Sequence, residues 1–490
     1  MSTLRWDSKT ASKRSHLQTL DVLRRSRRSE FLSKRRIIET PKETRKQKVY
    51  PLTFEEEISS AIRRPIDELN DLVHAFKVSG CDDEKLFNVL MNTKAFLERD
   101  NNGSSILIRP SGLLNMVVVQ ILNTDETISS LSAEVLSIYV CCGTTHGQEL
   151  IEENIVEVIV RKIVSPSVAV RRNLIHLLAN LAGESSAIRD NLLSQQISSL
   201  ILNLSQAYIT NPDILNELGF LVTNLCNNAP YVKIEFITPL FPFIKMMLRS
   251  IVVSLCVDGI WSVDFLAQNP ENIGTLCSNG FLDELISFLE SARYECVVPA
   301  IVSISTFMTG DDNLLMLIQS KGVLDKITHL FKSDEIEKRQ KENLFLFLVD
   351  FIRIPTQPVV SKVIVSFIPA AITAVLEETP QYQIRPAYLI SEVVQKSEAQ
   401  NLISILNLEN IFDAFKGMLQ IDDQGLMESV LEMVLYLLKF ECYSERRYGI
   451  FDKFNEIDLA SALEAISLGK LSTEMIRSLN TLQGICRTLE

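Results

Sequence analysis

The sequence predicts an all-α protein built as a repeat solenoid, and three observations carry that prediction. From about Asp82 onward apolar residues recur at helical spacing, as in Leu177, Leu178 and Leu181 or Leu435 and Leu438, with hardly any strict alternation of the β kind. Glycine is sparse, 17 of 490 residues, and is expected where helices stop, at Gly143, Gly183, Gly219, Gly280, Gly310 and Gly322. The helical pattern also repeats. "RRNLIHLLANLAGESSAIRDNLLSQQISSLILNL" aligns with "LNELGFLVTNLCNNAPYVKIEFITPLFPFIKMML", and equivalent positions fall at Tyr139, Asn180, Asn224, Phe265, Thr306, Asp350, Glu392 and Tyr436, separated by 41, 44, 41, 41, 44, 42 and 44 residues.

A period of about 40–47 residues is that of armadillo and HEAT units. One unit cannot bury its apolar face alone, so neighbours must stack. The expected architecture is an armadillo-repeat superhelical solenoid of about ten repeats over residues 75–490, with function in its concave groove. Phe87 to Val119 reads as a helical hairpin ahead of the first clear unit, and Leu459 to Leu489 as a closing one. Residues 51–74 read as a linker and residues 1–50 as a flexible basic arm. Period alone leaves open a generic α-solenoid with no groove chemistry.

Charge divides the chain at the same place. The whole carries 49 Lys+Arg against 61 Asp+Glu, a net of −12. Residues 1–50 hold 15 basic and 5 acidic side chains, a net of +10, which leaves 34 basic and 56 acidic in residues 51–490, a net of −22. An acidic body repels nucleic acid and anionic membrane, so basic partners are expected and direct nucleic-acid binding is not.

Nine cysteines show no CxxC and no metal-ligand spacing, and the start lacks an apolar signal-peptide core; a reduced, intracellular setting is expected. The longest strongly apolar stretch, Val363 to Leu376, contains Pro369 and reads as too short to span about 30 Å of hydrocarbon, so no membrane segment is expected. No P-loop, GxGxxG, HExxH or GxSxG occurs, and His16, His74, His146, His176 and His329 are isolated. Catalysis, a metal and a cofactor are therefore not expected. Paired acids such as Asp82-Asp83 and Asp422-Asp423 read as helix starts or turns.

The segments "RRNLIHLLANLAGESSAIRD", "LGFLVTNLCN", "DGIWSVDFLAQNPEN" and "VPAIVSISTFMTGDD" resemble consecutive armadillo repeats of importin-α, the adaptor that carries cargo bearing a basic nuclear localisation signal. In that family, Trp and Asn four residues apart form a ladder on the inner helix of successive repeats. The chemistry is general. An i, i+4 pair shares one helix face, an Asn amide both donates to and accepts from an extended backbone, and an aromatic face takes the stem of a Lys.

The resemblance implies a cargo site at His176 with Asn180, Phe220 with Asn224, and Trp261 with Phe265. It places acids for basic side chains at Asp258 and Glu184, and Asn173 where the family usually carries Gln. Val135 and Tyr139 stand at the first rung. The second, minor site is more eroded: Val302 and Thr306, Leu346 and Asp350, and Tyr388 and Glu392 occupy the ladder, Arg385 replaces an expected acid, and Asp311 and Asp312 remain.

The arm carries a second signature. "LDVLRRSRRSEFLSKRRII" is similar to the importin-β-binding segment of importin-α, with Arg24, Arg25, Arg27 and Arg28 followed by Lys34, Arg35 and Arg36, and with Lys13 and Arg14 in an upstream cluster. A Pro- and Gly-free stretch with clustered cations would become helical on binding an acidic surface. Lys34-Arg35-Arg36 can also occupy the chain's own groove, which the tether favours through local concentration. A plain nuclear localisation or nucleic-acid-binding tail is the alternative for such a run.

The resulting expectation is a nuclear import adaptor shuttling between cytoplasm and nucleus. Its partners would be importin-β, proteins bearing basic nuclear localisation signals and, by resemblance, the family's nuclear exporter. The alternative is an armadillo scaffold that keeps importin-β binding and has lost general cargo recognition.

Overall fold

The computed structural model describes residues 65–484 apart from 81, 100–102, 196, 228, 292, 311, 334–335, 445–446, 465, 467–475, 478 and 483. The basic arm over 1–50, most of the expected linker, Asp311 and much of the expected closing hairpin lie outside the described residues. The described helices begin at Pro65–Ser79, ahead of the array's expected start at residue 75. All regular structure among the described residues is helical, in armadillo-type repeats of two shorter helices followed by a long third one.

The chain forms two compact units, one of which comprises residues 29–281. Here the long helices are α1 (Asp83–Glu98), α2 (Glu126–Cys142), α3 (Val168–Glu184), α4 (Pro212–Cys226) and α5 (Val253–Ala267), each stacked on the next. Between α2 and α3 run the shorter helices His146–Glu152 and Ile155–Lys162, and between α3 and α4 run Ser186–Ser194 and Ile197–Ala207. The other unit holds residues 282–490, with α6 (Tyr294–Gly310), α7 (Lys338–Phe351), α8 (Pro380–Lys396) and α9 (Gln424–Tyr443) stacked in order.

Local sequence sets where the third helices begin. Asp125 Oδ1 accepts from the Thr127 and Ile128 amides, Ser167 Oγ from Val170, Asn211 Oδ1 from Ile214, and Asp423 Oδ1 from Leu426. Each such cap contributes about 1 kcal/mol. The Asp422-Asp423 pair thus starts α9, as the sequence suggests.

Inside a unit a third helix such as α3 touches the third helices before and after it and a shorter helix on either side, so most of its faces are buried. Leu174, Ile175, Leu177, Leu178 and Leu181 of α3 are all fully buried, each stabilising the fold by roughly 1.5–3 kcal/mol. The same crowding places Gly219 inside α4 rather than at a helix stop: a Cβ there would lie 2.6 Å from Leu255 Cδ1 of α5. Its role is close approach of two helices, which a stop signal in sequence does not distinguish.

The apolar stretch at 363–376 also departs from expectation. It belongs to one continuous helix, Gln357–Glu377, standing where other repeats have two shorter ones. By length and composition alone this helix is long and apolar enough to cross a membrane, but Val360, Val363, Ile364, Phe367, Ile368, Ala371, Ile372 and Val375 are buried inside the protein. Pro369 leaves the Val365 carbonyl without its helical donor, and Val365 is 76% exposed, so solvent can satisfy it.

Candidate functional site

Every ladder position predicted from the repeat falls on a third helix: Tyr139 on α2, Asn180 on α3, Asn224 on α4, Phe265 on α5, Thr306 on α6, Asp350 on α7, Glu392 on α8 and Tyr436 on α9. Within each unit these helices stack, so the residues at one register form a row across that unit's stack. The unit of residues 29–281 carries the row from Tyr139 to Phe265.

Polar bonds join its rungs. Asn173 Nδ2 donates to Ser130 Oγ at 3.0 Å, and Asn180 Nδ2 donates to Ser137 Oγ at 2.8 Å, so α3 is stitched to α2. Between α3 and α4, His176 Nδ1 donates to Glu217 Oε2 at 2.9 Å, and Arg172 Nε reaches Glu217 Oε1 at 3.4 Å. A carboxylate only accepts, which fixes the proton on His176 Nδ1. The imidazole lies against Phe220 with ring centroids 5.5 Å apart. One repeat further, Trp261 and Phe265 sit with centroids 6.4 Å apart, and both are buried.

Glu217 is the residue that a motif reading misses. It precedes Asn224 by seven residues, the offset of Asn173 before Asn180 and of Asp258 before Phe265, which is two helical turns and hence the same face. That offset is its signal in the sequence. Glu217 and Asp258 therefore put carboxylates on consecutive rungs. Asp258 is fully buried beside Gly219, where a Cβ would be 3.0 Å from its Oδ2, so the missing side chain makes room for the acid.

Asn224 differs from its neighbours. It is 1% exposed, and neither Oδ1 nor Nδ2 has a hydrogen-bond partner among the described residues. Glu184 also has a structural task, because its Oε2 accepts from the Gly147 amide at 2.6 Å near the start of helix His146–Glu152.

Tyr139, at the first rung, turns away from this pattern. It is buried, stacks on His146 with centroids 4.1 Å and 10° apart, and donates its hydroxyl to Glu149. Burial, then the Glu149 bond, pushes its phenol well above the ordinary range. Gly143 permits the stack, since a Cβ there would be 2.8 Å from His146 Cε1.

In the unit of residues 282–490 the expected minor-site residues are engaged with their own surroundings. Thr306 Oγ1 donates to the Val302 carbonyl, Asp312 pairs with Arg353 at 3.0 Å, and Arg385 pairs with Glu342 at 3.0 Å. Tyr388 donates to Asp423, and Glu392 pairs with Lys396 one turn on. Asp311 lies outside the described residues.

Comparison with known proteins gives matches at low sequence identity. Importin subunit alpha-1b of Oryza sativa subsp. japonica is 22% identical over 206 residues, 41% of this chain and 38% of that protein. Importin subunit alpha-2 of Caenorhabditis elegans is 20% identical over 280 residues, 56% of this chain and 52% of that protein. The chain is similar to importin-α over part of its length, at low identity. No family model matches it, and its matches span between 38% and 52% of the length of these two curated relatives. The crystal structure of an engineered protein aligns with this chain at a TM-score of 0.64 and 13% identity, covering 85% of the chain and 99% of the engineered one, a likeness of fold alone.

Proposed function

We propose that this chain is a nuclear import adaptor that holds a basic, extended peptide segment along α3, α4 and α5 and binds importin-β through its arm. Asn173, His176, Asn180, Glu184, Phe220, Asn224, Asp258, Trp261 and Phe265 form the peptide site, with Glu217 added to it. Arg24, Arg25, Arg27, Arg28, Lys34, Arg35 and Arg36 lead the arm's contacts, and the arm competes with cargo for the groove.

The observation that carries this reading is Asn224. A buried amide with no partner costs about 1–3 kcal/mol for each orphaned group. A passing peptide backbone offers one C=O and one N–H, the pair that an Asn amide needs. The adjacent carboxylates explain why the peptide is basic.

Asn224→Ala is therefore expected to weaken a fluorescent basic peptide's binding to the full chain about five- to tenfold in anisotropy, while leaving the melting midpoint unchanged or higher. Weaker binding accompanied by a lower midpoint would make Asn224 a structural residue instead. A chain that binds no basic peptide yet is captured by importin-β would support the scaffold reading.

A further inference from the structure

Resting on the groove reading, we infer that Arg172 is an internal competitor at Glu217: the chain's own cation holds the carboxylate that a basic peptide uses over α3 and α4. The peptide binds by displacing it.

Two arginines stand side by side near the start of α3, and their surroundings give them different tasks. Arg171 is buried, donates from Nε to the Ile163 carbonyl at 3.2 Å, and lays its guanidinium over the Tyr208 ring, 4.1 Å from the ring centre. It is locked into the turn that precedes α3. Arg172 stands one turn before His176, on the same side of the helix. Its side chain is 29% exposed, and it meets Glu217 through Nε alone, at 3.4 Å. Neither Nη1 nor Nη2 has a hydrogen bond among the described residues. A guanidinium suited to a two-pronged bond with a carboxylate thus makes one long contact, and little else holds it.

Glu217 supplies the reason for that contact. Its side chain is only 11% exposed, and a carboxylate so enclosed is costly unless it is paired. His176 is a fixed partner for Oε2, because its imidazole is buried against Phe220. Arg172 is the partner for Oε1 and the more exposed of the two donors. The Arg172 contact is therefore the one that a ligand replaces. A peptide Lys or Arg exchanges one ion pair for another at this carboxylate, so the rung contributes less affinity than its charge suggests.

The test measures a fluorescent basic peptide by anisotropy on the full chain with Lys34, Arg35 and Arg36 changed to Ala, so that the arm does not compete. Adding Arg172→Gln is expected to tighten binding about three- to tenfold. Glu217→Gln is expected to weaken it, and Arg172→Gln in that background to change it by less than twofold. Arg161→Gln removes the same charge from the exposed helix Ile155–Lys162 and is expected to change binding by less than twofold. Binding to the Arg172→Gln chain that is unchanged or weaker would overturn the inference and leave the groove reading intact. An equal gain from Arg161→Gln, or from Arg172→Gln without Glu217, would show a diffuse charge effect and overturn it likewise. No binding by any of these chains would overturn both readings. If Glu217→Gln does not fold, the comparison of Arg172→Gln with Arg161→Gln decides.

Discussion

Asp258→Asn is expected to lower affinity for a basic peptide by about ten- to a hundredfold and to flatten its salt dependence. The substitution keeps the shape of the side chain and removes only its charge. A hydrogen bond to a charged group contributes about 1.5–3 kcal/mol, and the low polarity around a fully buried carboxylate raises its weight. Asp258 also sits where Thr223 Oγ1 and Ser262 Oγ both bond its backbone carbonyl, at 3.1 and 2.8 Å, so its position is fixed before a ligand arrives. Peptide titrations at low and moderate salt would read the effect. An affinity unchanged within twofold, with the same salt slope, would remove Asp258 from the site.

Arg189→Ala is expected to be the most destabilising single change in the unit of residues 29–281 apart from large core truncations. Arg189 is 1% exposed, and its guanidinium donates to the carbonyls of Asn227 at 2.6 Å and Pro230 at 2.8 Å and to Asp190 Oδ1 at 2.8 Å. It thereby ties the first short helix of a repeat to the turn that leaves α4. Truncation removes three hydrogen bonds of a charged donor and leaves a void where the buried side chain stood, which together cost about 3–5 kcal/mol. Repeat arrays lose order locally before they unfold as a whole, so the readout is the midpoint of helical signal loss in urea. Arg189→Lys is expected to fall between, because one ammonium cannot reproduce the planar fork. A change below about 1 kcal/mol for the Ala variant would show the turn to be held by other means. Since the turn follows α4, peptide binding should weaken in parallel.

The fold is legible in the sequence because it is periodic. A third helix packed on both sides repeats the same demands at every rung, so Asn180, Asn224 and Phe265 can be registered from spacing alone. What escapes detection depends on a neighbour one repeat away. Gly219 reads as a helix stop until Leu255 and Asp258 are placed against it. The apolar stretch around Pro369 reads as short until the continuous helix Gln357–Glu377 and the exposed Val365 show that the bond lost at the proline faces solvent. Tyr139 falls at the right register, yet its direction is decided by His146 and Glu149, which belong to the following helix. Glu217 is marked only by its seven-residue offset, which a search for the ladder by residue type does not use.

A basic peptide held in the proposed groove lies across the third helices. Photo-crosslinking with a basic peptide carrying a diazirine at successive positions, followed by mass spectrometry of the full chain, locates it directly. Adducts are expected on α4 and α5, around Phe220, Asn224 and Trp261, and an unlabelled basic peptide should suppress them. Adducts confined to the shorter helices Ile155–Lys162 and Ile197–Ala207 would contradict it.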